Sequence, residues 1–211
     1  MNTKVSVTIL MAVIAAFISL PSQAQVKING DIDHTRWISD ARSAVSFDAM
    51  PTTLARWKEM QKSLGKEPQG AVALQVMAFE LFRRNREDGM QALRLNNTPT
   101  NFNSTVSRLK EIMGNDAYYA RPYIAMAMLR GATPANGYTP SKPLTVELRV
   151  DPNKKYQQSQ MLNGTVIYLQ LNSQGWDTNW RGVEVVKPAG SDFFLVSNCP
   201  ALYTQCKAAA K

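Results

Sequence analysis

Apolar residues recur at helical spacing through the first half of the chain and at alternating positions through the second. After Pro51, Leu54, Trp57 and Leu64 can share one face of a helix, and Gly65 with Pro68 predicts its end. From Ala71 to about Arg86, Leu74, Met77, Ala78, Leu81 and Phe82 form a broad apolar stripe, with Gln75, Glu80, Arg83 and Arg84 predicted on the wet side. Arg83, Arg84 and Arg86 then fall near the negative end of that helix's dipole. A third helix is predicted from Asn103 or Ser104, either of which can cap it, to Met113, through Val106, Leu109 and Ile112. Between Pro122 and Gly131 the run from Tyr123 to Leu129 is almost uniformly apolar and predicts a buried helix whose methionines fill the core.

Beyond Pro143 the period falls to two. Val146, Leu148 and Val150 face one way while Thr145, Glu147 and Arg149 face the other, the signature of a half-buried strand. Further strands are predicted at 166–171, 183–186 and 193–196, and the spaces between them are too short or too polar for helical crossovers, so the sheet should be antiparallel. Gly131, Pro134, Gly137, Pro140 and Pro143 mark the change from helices to strands. The expected fold class is α+β, with an N-terminal helical region packed on a C-terminal, mainly antiparallel sheet in a single domain over residues 25–211.

Composition adds the compartment. Lys4 precedes an uncharged, largely apolar run from Val5 to Leu20, and Pro21, Ser22, Gln23 and Ala24 follow, the layout of a signal peptide over residues 1–24 cut before Gln25. Its removal from 211 residues leaves 187, enough for a domain of ordinary size. No cysteine stands at the cut to receive a lipid, and no later stretch is apolar enough to hold the chain in a bilayer, so the expectation is an exported protein, periplasmic or else extracellular, without stable membrane insertion. Hydrophobic residues at 45% and charged residues at 19% argue against a disordered chain or a collagen-like repeat. Losing Lys4 lowers the formal charge from +8 to +7, which favours acidic surfaces without identifying one. Lys154 and Lys155 are only a short basic spot, so nucleic acid is not an expected partner. The two cysteines, Cys199 and Cys206, are read as one local disulfide, a closure worth about 2.5 kcal/mol before strain.

Chemical motifs are sparse. The sequence has no Gly-rich phosphate loop, no G-x-S-x-G elbow, no H-E-x-x-H pair and no Cys-x-x-Cys, and no cofactor is implied. Ser63 with Lys66, and Ser107 with Lys110, each form S-x-x-K without the companion motifs of a serine-lysine hydrolase. The sole histidine, His34, sits beside Asp31 and Asp33, with Arg36 and Trp37 following; a surface cluster is the plainest reading, with acid–base chemistry or a divalent metal as alternatives. The better binding candidate is the segment from Gly175 to Gly182, where Trp176 and Trp180 supply rings that can stack on a ligand, and Asp177, Asn179 and Arg181 supply polar anchors. Burial of either tryptophan against the sheet is the competing account.

The stretches Tyr119-Ala120-Arg121-Pro122-Tyr123, Gly131-Ala132-Thr133-Pro134, Gly175-Trp176-Asp177-Thr178-Asn179-Trp180 and Asn198-Cys199-Pro200 resemble an uncharacterised family of exported bacterial proteins with no assigned activity. The resemblance covers the C-terminal portion better than residues 25–70 and implies neither catalytic residues nor a cofactor. The functional expectation is an exported binding or envelope-associated protein, its partner a small ligand or an envelope protein, with a small exported hydrolase as the alternative.

Overall fold

In the computed structural model, which describes residues 25–114 and 120–210, the first helix begins where Thr53 can cap it. The Thr53 hydroxyl accepts from the Arg56 N–H at 3.2 Å, and α1 (Leu54–Leu64) buries Trp57, Met60 and Leu64 before Gly65 ends it. The expected signal peptide, and Tyr119 of the family-like stretches, lie outside the described residues.

Helix α2 (Pro68–Arg84) starts earlier than the apolar stripe suggests, because Pro68 at its first position sacrifices no intrahelical hydrogen bond. It is buried continuously from Pro68 to Phe82, so Gln75 and Glu80 are not on a wet side as expected. The Glu80 carboxylate instead accepts from Arg83 at 2.6 and 2.9 Å and from Arg84 at 2.5 Å, which gives those arginines a partner more specific than a helix dipole. Asn85 then ends α2 and caps an unpredicted helix, α3 (Arg86–Asn96), its side chain accepting from the N–H groups of Glu87 and Asp88. Gly89 lets the two helices meet: a Cβ there would lie 2.1 Å from the Phe82 Cα. Helix α4 (Pro99–Ile112) also starts earlier than expected, again at a proline.

The apolar run after Pro122 departs from expectation. Residues 126–128 form a single 3₁₀ turn in place of a longer helix. The Ala127 carbonyl, which a continuing helix would use, accepts from the Ser173 hydroxyl, and Leu129 turns away into extended backbone. The segment is core all the same: Ile124, Ala125, Ala127 and Met128 are fully buried.

Seven strands form one sheet: β1 (Val26–Asn29), β2 (Arg42–Phe47), β3 (Leu144–Val150), β4 (Gln157–Ser159), β5 (Gly164–Asn172), β6 (Trp180–Val186) and β7 (Leu195–Asn198). Their order is β1-β2-β3-β5-β6-β7, every pair is antiparallel, and β4 pairs with β5 beyond the end of β3. The fold is α+β as the periodicity implies, but β1 and β2 come from residues to which the periodicity assigned no element. Alternation sends Val45, Val146, Leu148, Leu169, Leu171, Val183 and Val185 toward α2 and the other helices. The opposite face carries Arg42, Glu147, Arg149, Gln170 and Trp180. At the far side β7 is tied to the helical layer, since the Val196 carbonyl accepts from the Thr98 N–H at 3.0 Å and the Phe194 N–H donates to the Gly65 carbonyl at 2.7 Å. Among the described residues no helix is long and apolar enough to cross a membrane.

Candidate ligand-binding groove

The connection from β1 to β2 folds over the helix-bearing side of the sheet because Ile32 is fully buried and Asp33 organises the turn that follows. The Asp33 carboxylate accepts from the Thr35 hydroxyl at 2.7 Å and from the N–H groups of Thr35 and Arg36 at 2.9 and 3.1 Å. These bonds, the Thr35 hydroxyl first, hold its carboxyl below the usual carboxylate range. The turn presents His34 and Trp37; the Trp37 indole N–H donates to the Asp151 carbonyl at 3.3 Å, which fixes the ring against the end of β3.

Opposite this loop stand side chains from three more segments. Lys155 and Tyr156 lead into β4, Ile167 lies on β5, and Lys187 and Phe194 flank the turn between β6 and β7. Together they enclose a groove of about 690 Å³, within the range of roughly 300–1,000 Å³ common to ligand sites. Its floor is core material, with Ile167 and Phe194 each 1% exposed, and the His34 ring meets Phe194 edge-on at 5.4 Å. Its rim is cationic. The Lys155 ammonium lies 5.8 Å from the Trp37 ring centroid and that of Lys187 lies 5.8 Å from the Phe194 centroid. Neither ammonium has a carboxylate within 4.0 Å among the described residues. In the wall, the Tyr156 hydroxyl is shielded from solvent with no hydrogen-bond partner, and burial, seconded by the Asp33 charge, pushes its pKa up to about 12.

The aromatic segment favoured from the sequence is divided by the sheet. Trp176 is 2% exposed, its N–H donates to the Thr204 carbonyl at 2.5 Å, and Arg181 covers its ring at 5.4 Å. Arg181 also donates to the Ala201 carbonyl and the Thr178 hydroxyl, while Asp177, 94% exposed, pairs with Lys207 at 3.0 Å. Asn179 contributes its backbone carbonyl, which closes the loop by accepting from the Ser173 N–H. Trp180, the next residue along the strand from Arg181, points to the opposite face, beneath Arg149. Trp176, Asp177 and Arg181 therefore clip residues 200–207 in place, and the two indoles share no ligand surface.

The expected bridge between Cys199 and Cys206 is absent, and both thiols are free and buried. Cys199 sits among Asn101, Gln75 and Thr105 at 3.5–3.6 Å, whereas Cys206 lies beside the Tyr138 hydroxyl at 3.8 Å. The 3₁₀ turn at Pro200–Leu202 and the bond from the Lys207 N–H to the Gly175 carbonyl carry the second cysteine into different surroundings. Burial raises both thiols, Cys206 to about 11, so neither is a ready nucleophile.

The other chemical candidates stay apart. The Ser63 hydroxyl donates to the Met60 carbonyl within its own helix, not toward Lys66, and no bond joins Ser107 to Lys110. His34 has its contact with Phe194 but no hydrogen bond to a serine or to Asp31 or Asp33, and among the described residues no three metal-ligating side chains gather. Trp37 and Lys155 each drew notice in the sequence for other reasons; nothing there joins them to Tyr156, Ile167, Lys187 and Phe194, because the groove is assembled only by the sheet register.

A family model described as a domain of unknown function, DUF6935, matches residues 49–210, and the chain belongs to that family. Neither the curated proteins nor the solved structures contain a match.

Proposed function

We propose that this member of a family without an assigned activity is an exported, non-catalytic binding protein, and that its ligand is a small molecule whose apolar or aromatic body lies in the groove between Trp37 and Phe194. Support for export is the signal-peptide layout of residues 1–24. The observation that carries the binding reading is the groove itself: a concavity of about 690 Å³ floored by Ile167 and Phe194 and walled by Trp37 and Tyr156. An apolar and aromatic floor beneath a polar rim suits a ligand that buries a flat body and keeps a polar end at the opening. Hydrolysis is the weaker reading because His34, the sole histidine, has no hydrogen bond to a nucleophile or to an orienting carboxylate.

The test is calorimetric titration of the mature protein with naphthylmethanol, an uncharged probe with a flat apolar body. Trp37→Ala should weaken binding by roughly tenfold, the loss of an aromatic wall, while Trp180→Ala, on the other side of the sheet, leaves it unchanged. Equal losses from both substitutions, or no detectable binding, would overturn the assignment of the groove.

A further inference from the structure

We infer that the groove selects an organic anion, a carboxylate, sulfonate or phosphate attached to a flat apolar body, with the negative group held between Lys155 and Lys187. The inference rests on the reading of the groove as a ligand site and adds the charge of what it takes. Lysine ammonium groups on a protein surface are normally solvated or paired, and eight of the nine ion pairs of the described residues have an arginine as the cation, the ninth using Lys207. Lys155 and Lys187 come from segments far apart in the chain, yet the fold brings both to the rim of one concavity, each over an aromatic wall and neither with a carboxylate partner. A cation above a ring is held in place by the ring's negative face without being neutralised by it, so the two charges stay directed at whatever enters.

The loop's Asp33, whose charge reaches Tyr156, is held by its own turn. Asp33 is already engaged by the Thr35 hydroxyl and by two backbone N–H groups, and its ion-pair partner is Arg36 at 3.6 Å. The polar side chains without a partner around the groove include the His34 ring and the two ammonium groups, and the ammonium groups can only donate. A neutral apolar ligand would leave both cations unused, whereas an anion with a ring satisfies floor and rim together. Low dielectric at the base of the groove strengthens the attraction relative to open water, and the aromatic walls restrict the ligand to molecules with a flat body behind the charge.

Naphthoate and naphthylmethanol differ in charge but share the same body, and titrating both against the same protein separates the inference from the reading beneath it. Naphthoate should bind roughly tenfold more tightly than the alcohol, as expected for charge-assisted contacts, and the gap should narrow as salt is added. In the Lys155→Gln/Lys187→Gln variant the gap should close while affinity for the alcohol persists. If both probes bind with Trp37 dependence but equally well, or if the gap survives loss of both lysines, the anion inference falls and the groove stands. If neither probe binds, or neither depends on Trp37, the groove falls and the inference with it.

Discussion

On the face of the sheet that carries Trp180, Arg149 lies 4.2 Å from the Trp180 ring centroid, and in the groove on the other side Lys155 lies 5.8 Å from that of Trp37. The ingredients are alike, a cation over an indole, but the surroundings differ in what they leave unfilled. Arg149 donates to Gln170 at 2.8 Å and to Asp40 at 3.0 Å; Asp40 also accepts from Arg42 at 3.0 Å, and Glu147 is taken up by Arg130 and Asn172. Each charged group of this network has its counterpart within the protein. Lys155 and Lys187 have rings beneath them and no acid beside them. A closed network of this kind fixes the register of neighbouring strands, whereas an unclosed one leaves interaction energy for something else. The location of a site thus follows less from which residues gather than from which of them remain unsatisfied.

Substitutions can break this contrast. The largest effect belongs to the floor that groove and core share: Phe194→Ala should lower unfolding free energy by about 3–5 kcal/mol in chemical denaturation, because the ring is buried and its loss leaves a cavity. Arg149→Ala should cost about 1–2 kcal/mol, since Asp40 and Gln170 lose a partly buried partner, and should leave probe binding in the groove untouched. The paired lysine substitutions should move stability by less than about 0.5 kcal/mol, the range of exposed positions without partners. A stability loss from the lysines as large as that from Arg149 would erase the distinction between the two faces.

The smallest effect is spectroscopic. Tyr156 ionises at about 12 in place of its ordinary 10.0 because burial disfavours the phenolate. A raised value means that folding favours the neutral form, so this contribution to stability is complete below pH 10 and disappears as pH climbs toward 12. Ultraviolet titration should show several late tyrosine transitions, since burial raises Tyr138 as well, and Tyr156→Phe should remove one of them; a Tyr156 that titrates with the exposed phenols would mean that the wall is open to water.

Much of the architecture was legible because local signals and packing agree. Pro51, Gly65 and the Leu54–Trp57–Leu64 spacing define α1 on their own, and the alternation from Thr145 to Val150 defines β3. Helix α3 was not legible, because Gly89 lowers the helical propensity of a polar stretch; the helix is held by its fit against Phe82, a contact between distant turns. The short β1 and β2 carry too few alternating positions to stand out, and they join the sheet through the pairing of β2 with β3, about a hundred positions away. The arrangement of the aromatic segment was not legible for a related reason: Arg181, which covers Trp176, and its strand neighbour Trp180 face opposite ways, so the two indoles lie apart. The groove drew its parts from segments with no shared local pattern, and a pattern search has nothing there to find.

The bond from the Thr98 N–H to Val196 bears on how copies of this chain can associate. A bare outer strand offers a rail of unpaired amides onto which another chain can zip, the usual start of edge-to-edge polymerisation. Here the joint between α3 and α4 occupies that rail beside β7, so growth of the sheet in that direction is hindered by the protein's own backbone, and strand-to-strand assembly is diverted to the outer strands β1 and β4.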